Sequence, residues 1–153
     1  MRESLRLLYG KNGFRVEAAH DPNGLTSAIG AYFAGDLAAI DNLPVCTAGT
    51  SFQREVWNAL RTISCGTTVS YGQIAERIGR PTAVRAVGLA NGSNPICVVV
   101  PCHRVIGANG SLTGYGGGIE RKRWLLEHEG KAQEQLALAY IPNSFTASSG
   151  QRR

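Results

Sequence analysis

The sequence predicts a mixed α/β (α+β) fold, mainly helical over residues 50–130, and three observations carry that expectation. Apolar residues recur at helical spacing in successive stretches, most of them opened by a residue suited to capping. One uninterrupted apolar run, Ile96-Cys97-Val98-Val99-Val100, sits between prolines and reads as a buried strand. Glycine-bearing turns divide these blocks at short intervals.

Residues 1–49 form a partial N-terminal α/β portion. Asp21-Pro22-Asn23-Gly24 is a turn or helix start, followed by Leu25, Ile29, Tyr32-Phe33 and Leu37 at helical spacing. Residues 43–49 read as a linker or edge segment. From Thr50 the signals sharpen. Thr50-Ser51-Phe52-Gln53 fits a capping box, and Phe52, Val56, Trp57, Leu60 and Ile63 form the apolar stripe of a helix. After a turn through Gly66 to Val69, Ser70 can cap a second helix over 71–78. Beyond the break Gly79-Arg80-Pro81-Thr82, a third helix is expected over 83–91, built mostly of small residues. Two short helices joined by a tight glycine-containing turn outline a helix-turn-helix.

Pro101 cannot donate a ladder hydrogen bond, so the 96–100 strand should end there. Asn109-Gly110 is a hairpin signal, 115–118 a flexible loop, and 119–129 a helix stopped by Gly130. Residues 131–153 form an extension: 132–140 can continue as helix, whereas 143–153 is polar, rich in Ser and Gly, and expected to be disordered.

At 153 residues, 43% hydrophobic and 18% charged, the chain can bury a core. It has no stretch apolar enough to span a membrane and no secretory h-region near Met1, so a cytoplasmic, reduced setting is expected. The four cysteines form no C-x-x-C pair and no Cys/His cluster at zinc spacing, so neither a disulfide framework nor a metal site is indicated. The net charge is +5, and 13 of the 16 basic residues are arginine, which permits a polyanionic partner without demanding one.

Chemistry concentrates in Pro101-Cys102-His103-Arg104-Val105. A free cysteine often serves as a small buried hydrophobe, and Cys46, Cys65 and Cys97 are read that way. Cys102 differs, because it lies past the apolar run beside an imidazole that can favour its thiolate. Glu129 falls in the last turn of its helix, where the macrodipole disfavours a carboxylate, on a face that should pack inward. It is either a solvated helix end or a buried carboxylate that orients His103 against Cys102, a Cys-His-Glu relay. Arg85 is a solvated helix arginine or one that reaches a bound duplex. Asn94 suits a turn before Pro95, and Tyr71 suits packing with a wet hydroxyl.

Residues 50–130 resemble the C-terminal domain of the O6-alkylguanine-DNA alkyltransferases, the methylated-DNA–protein-cysteine methyltransferases. The matching blocks are Phe52-Gln53-Arg54-Glu55-Val56-Trp57, Ser70-Tyr71-Gly72-Gln73-Ile74-Ala75, Arg85-Ala86-Val87-Gly88, Asn94-Pro95, Pro101-Cys102-His103-Arg104-Val105, Gly114-Tyr115-Gly116-Gly117-Gly118 and Leu125-Leu126-Glu127-His128-Glu129-Gly130. The resemblance implies a winged helix-turn-helix-like domain that binds double-stranded DNA. It implies a monomer that flips out O6-alkylguanine and takes the alkyl group onto Cys102 without cofactor or metal. Acceptance of O4-alkylthymine is left open.

By the same resemblance His103 would be the base acting through a water and Glu129 the carboxylate polarising it. Asn94 would brace the active-site turn, and Tyr71 would stand near the guanine as the alkyl group leaves. Arg85 would fill the stack after flipping. Ala86, Gly88 and Ala90 would let their helix approach the minor groove, with Ser93 also on the DNA side. Val98, Val100, Tyr115 and Gly116 would line the guanine pocket. An alkyl group on O6 lies inside the duplex, so extrusion precedes chemistry. The thioether formed resists hydrolysis, so each chain would act once.

Three departures accompany the resemblance. The opening strands of the family's N-terminal portion are not evident, Gly116 stands where some members have serine, and the metal-binding residues of some members have no counterpart. Two other functions compete: a lesion-binding module or winged-helix regulator without transfer chemistry, and a cysteine hydrolase that would turn over.

Overall fold

The computed structural model describes residues 2–10 and 13–139. Its helices are α1 (Arg2–Tyr9), α2 (Leu25–Phe33), α3 (Ser51–Leu60), α4 (Tyr71–Arg77), α5 (Val84–Gly92) and α6 (Ile119–Ala139). Two short strands, β1 (Val69–Ser70) and β2 (Val105–Ile106), pair in parallel with Val69 opposite Val105 and Ser70 opposite Ile106.

Local chemistry fixes where the central helices begin. Thr50 Oγ1 accepts from Gln53 N at 3.2 Å while Gln53 Oε1 accepts from Thr50 N at 2.9 Å, the reciprocal capping box. Ser70 and Gln73 repeat the device at α4, at 3.2 and 2.7 Å. Asp21 caps α2 from outside, accepting from the backbone of Thr26 at 2.8 Å and Ser27 at 3.1 Å.

The three central helices α3, α4 and α5 each bury one face. Val56, Trp57 and Leu60 of α3, Ile74 and Ala75 of α4, and Val87 and Ala90 of α5 form one core with Val100, Cys102 and Val105. Trp57 Nε1 donates to Ala90 O at 2.8 Å, so the indole is buried with its polar edge satisfied. A second, smaller core joins Tyr32, Leu37 and Ile40 to Leu125 of α6.

Several expectations need correction. Residues 96–100 are not a strand. Val100 N donates back to Ile96 O at 3.0 Å, and Val98 has φ +76°, so the run closes into a turn. The reason is that its apolar side chains go to different places. Val98 packs on the Tyr32 core and Val100 enters the α3–α5 core. Asn94 clamps both ends of the turn, donating from Nδ2 to Val100 O at 2.7 Å and accepting from Ile96 N at 3.0 Å.

The sheet forms elsewhere, from Val69, expected in a turn, and from Val105. The Asn109-Gly110 turn closes through Gly107 N to Ser111 O at 2.9 Å, but no strand returns from it. Residues 1–49 carry helices and no strand among the described residues. Gly130 does not stop α6, which runs on to Ala139. An interior glycine costs only about 1 kcal/mol relative to alanine, and Lys131-Ala132-Gln133-Glu134-Gln135-Leu136 are strong helix formers. The expectation for residues 143–153 lies outside the described residues.

If the α4 capping box is what starts that helix, Ser70→Ala should cost about 1 kcal/mol in chemical denaturation, and Ser70→Gly only a few tenths. Equal losses in the two variants would assign the effect to something other than the cap.

Candidate active site

The site is built around one buried carboxylate. Glu129, on the inner face of α6, has no exposed surface, and donors converge on it from three parts of the chain. Tyr32 Oη of α2 donates to Oε1 at 2.8 Å, and Gly66 N donates to Oε2 at 3.1 Å. His103 Nε2 lies 2.9 Å from Oε1. Arg104 donates from Nε to Oε2 at 3.0 Å and from Nη2 to Oε1 at 2.8 Å. Burial alone would raise the Glu129 pKa, but the bonds from His103 and Arg104 outweigh it and hold the group well below the ordinary carboxylate range. Glu129 is thus ionised. It sits mid-helix, and packing rather than a helix end sets its surroundings.

An ionised carboxylate can only accept, so His103 must carry its proton on Nε2. Nδ1 is then a free lone pair, and it is buried without a protein partner. Burial lowers the His103 pKa more than the bond to Glu129 raises it, which keeps the ring neutral near pH 7. A neutral imidazole with its proton pinned on the far nitrogen is a general base aimed in one direction.

Cys102 opens a short 3₁₀ turn, Cys102–Arg104, and is 3% exposed. Its Sγ lies 3.9 Å from Cys97 Sγ. The hydrogen bond with Cys97, then burial, push the Cys102 thiol up, so it rests protonated. The bond from Cys102, reinforced by the Tyr115 hydroxyl, pulls Cys97 down to about 6. Burial raises the Tyr115 phenol above its usual range. Asn91 Nδ2, from α5, reaches Cys102 O at 3.5 Å.

The other expected residues fall into separate groups. Asn94 holds the turn before Pro101. Tyr71 packs half-buried on the main core, its hydroxyl accepting from Thr113 Oγ1 at 3.1 Å. Val98 and Tyr115 are half-buried, Val100 is buried, and Gly116 is exposed in open space. Arg85 and Ala86 are exposed on α5, next to Leu89 at 78% exposure. Ser93 is exposed at the α5 terminus, where its Oγ accepts from Gln53 Nε2 at 3.0 Å. A Cβ on Gly88 would only touch the Tyr71 ring, at 3.9 Å. Ala90 points the other way, into the core against Trp57, so its small size serves packing and not the outer face.

Four contributors were not anticipated. Tyr32 was legible only as part of an apolar stripe. Arg104 was legible only as a member of the motif, and its Nη1 also donates to Ile63 O at 2.6 Å. Lys122 is fully buried and donates to Val105 O at 2.6 Å and Thr113 O at 2.9 Å, with burial pulling its pKa down. Cys97, read as a strand hydrophobe, is exposed, and so is Cys46, while Cys65 is half-buried and accepts from Arg104 Nη2 at 3.0 Å. Among the described residues no cluster of His, Cys, Asp or Glu could hold a metal ion, and no helix is long and apolar enough to cross a membrane.

Residues 51–131 match the family described as 6-O-methylguanine DNA methyltransferase, DNA binding domain. The methylated-DNA–protein-cysteine methyltransferase of Shigella flexneri is 59% identical over 130 residues, covering 85% of this chain and 76% of its own. The crystal structure of Mycobacterium tuberculosis OGT in complex with DNA is 56% identical, with a TM-score of 0.64 over 72% of this chain and 68% of its own. The O6-methylguanine-DNA methyltransferase of Pyrococcus kodakaraensis is 31% identical, with a TM-score of 0.61 over 82% of this chain and 76% of its own.

Two stability effects follow from the electrostatics. Below about 6.5 the unfolded chain binds a proton at His103 that the folded chain refuses, so stability should fall as pH drops through that value. Below about 4.5 Glu129 adds a loss of the same sign, because its folded pKa is depressed. Denaturation midpoints level from pH 8 to 5 would contradict a neutral His103. Glu129→Gln leaves Arg104 buried without a counter-charge and should cost about 3–5 kcal/mol.

Proposed function

Because the chain belongs to the 6-O-methylguanine DNA methyltransferase family, we propose that it repairs DNA by moving an alkyl group from guanine O6 onto its own Cys102. The observation that carries this assignment is the ring of His103, the residue next to Cys102, pinned through Nε2 by Glu129 with Nδ1 buried and without a protein partner. Nδ1 takes the Cys102 proton through a bridging water. Sulfur attacks the alkyl carbon, the C–O6 bond breaks, and its electron pair passes to the guanine. Tyr71 stabilises the charge that builds on the base. The product is a thioether, one per chain, and no cofactor enters the balance.

Asn94 contributes by holding the turn that carries Cys102. The guanine pocket is assigned to Val98, Val100, Tyr115 and Gly116, with no serine hydroxyl at 116. A winged helix-turn-helix reading of α4 and α5 places Arg85, Ala86, Gly88 and Ser93 toward the duplex. The outer face of α5 supports this, since Val84, Arg85 and Leu89 are exposed together and Arg85 has no hydrogen bond or ion pair with any described residue. An unpaired guanidinium beside apolar groups suits insertion into a base stack, and the exposed Arg54, Arg77 and Arg80 suit phosphates. Residues 50–130 form the DNA-binding and reacting unit, 1–49 brace it through Tyr32, and 131–153 extend it. A monomer acting in the cytoplasm fits a site drawn from a single chain. A lesion-binding module without transfer is the second reading, and the presence of Cys102 argues against it.

Incubation with duplex DNA bearing O6-methylguanine should add one methyl group to the peptide containing Cys102 and then stop at one equivalent. Continued turnover would point to a hydrolase, and an unmodified Cys102 to binding alone. Arg85→Ala should slow transfer from duplex about tenfold or more, since unstacking costs a few kcal/mol. It should leave the reaction of Cys102 with a small alkylating reagent nearly unchanged. Equal losses in both assays would remove the flipping role.

A further inference from the structure

The reacting sulfur has a second thiol within van der Waals reach. Cys97 Sγ stands 3.9 Å from Cys102 Sγ, and neither cysteine is in a disulfide. The two differ in access: Cys97 is exposed, whereas Cys102 is 3% exposed. This pairing depends on the turn at 96–100, because an extended strand would have carried Cys97 away from Cys102. The other two cysteines have no such arrangement. Cys65 is engaged by the Arg104 guanidinium and Cys46 lies elsewhere on the surface.

We propose that Cys97 is an oxidation site that closes a disulfide onto Cys102, giving the acceptor sulfur a reversible protected state. The meaning of the bond as protection rests on Cys102 being the alkyl acceptor; the bond itself does not. The oxidant is a peroxide. Exposed Cys97 is the first to react, and its lowered pKa supplies thiolate near neutral pH. The thiolate attacks one peroxide oxygen, the O–O bond breaks, and hydroxide leaves, so Cys97 becomes a sulfenic acid. Cys102 then attacks the Cys97 sulfur, the S–O bond breaks, and the leaving hydroxide takes up the Cys102 proton as water. The sum is two thiols and one hydrogen peroxide giving one disulfide and two waters, a two-electron oxidation.

Closing the bond requires the sulfurs to approach from 3.9 Å to about 2 Å, a shift that side-chain rotation at exposed Cys97 can supply. Without Cys97, a sulfenic acid on Cys102 has no neighbouring thiol and proceeds to sulfinic acid, which thiol reductants do not reverse. A protein whose sulfur can accept one alkyl group only has a direct need for such a partner.

The test treats the full chain with limiting hydrogen peroxide, blocks free thiols with N-ethylmaleimide under denaturing conditions, and reads masses. The expected result is a fall in labelled thiols from four to two, with Cys46 and Cys65 still labelled. The tryptic peptide from Ala86 to Arg104, which holds both sulfurs, should lose two hydrogens. Dithiothreitol should restore both thiols and, relative to the untreated sample, methyl acceptance. In Cys97→Ser the same dose should give no linked peptide, and peroxide in excess of about two equivalents per thiol should carry Cys102 to sulfinic acid, with acceptance not recovered by dithiothreitol. Over-oxidation of Cys102 at equal rates in both proteins, with no internally linked peptide, would overturn the proposal. If the linked peptide forms but the reduced protein accepts no methyl group, the thiol pair stands and the acceptor assignment fails.

Discussion

A carboxylate removed from water has to be surrounded by donors, and Glu129 imposes that requirement on the rest of the molecule. Its donors come from α2, from the turn at Gly66, and from both His103 and Arg104. They lie on three separate stretches of chain, so satisfying one side chain fixes three segments relative to α6. Removing any donor strands part of a buried charge, which costs far more than an exposed pair would lose. The orientation of His103 is therefore a consequence of folding: the ring cannot turn without unsatisfying Glu129. Tyr32 gives the N-terminal residues a stake in the same centre, because its hydroxyl is the contact through which α2 reaches Glu129.

Much of this was legible in the sequence where the signal was local. The capping box at Thr50, the Ser70 cap, the apolar stripe of α3 and the small-residue helix α5 follow from short-range chemistry. The His103–Glu129 pair was legible because a buried carboxylate and an imidazole each need a partner. What escaped was set by distant packing. Ile96 to Val100 looks like a strand because contiguous apolar residues carry no record of which core each will enter. Here Val98 and Val100 enter different ones. The β1–β2 pair is two residues long on each side, below the length at which alternation can be seen. Gly130 resembled a stop because glycine is common past helix ends, but the residues after it favour continuing the helix. Arg104 and Lys122 were opaque because charged residues are seldom buried, and nothing local reveals that Glu129 or the Val105 and Thr113 carbonyls await them.

The misplaced strand carries the largest chemical consequence. As a strand, residues 96–100 would have left Cys97 facing a neighbouring ladder and Cys102 alone at its end. As a turn clamped by Asn94, they set two sulfurs side by side, one outside and one inside. Asn94 thus shapes the acceptor and its neighbour together. The same reversal explains why Tyr115 is involved, since its hydroxyl lies against Cys97.

The helix assigned to DNA and the thiol assigned to the chemistry are coupled by geometry as well as by sequence. One face of α5 presents Val84, Arg85 and Leu89 to the outside. The opposite face carries Val87 and Ala90 into the core and sends Asn91 Nδ2 toward Cys102 O. Trp57 and Gln53 of α3 grip the same helix, the first at Ala90 O and the second at Ser93 Oγ. An α-helix is about 10 Å across, so a nucleotide turned out against the outer face has only the thickness of one element to pass. A rigid α5 makes that distance constant. On the reading proposed above, the reach from duplex to sulfur would then be set by the fold before any substrate arrives.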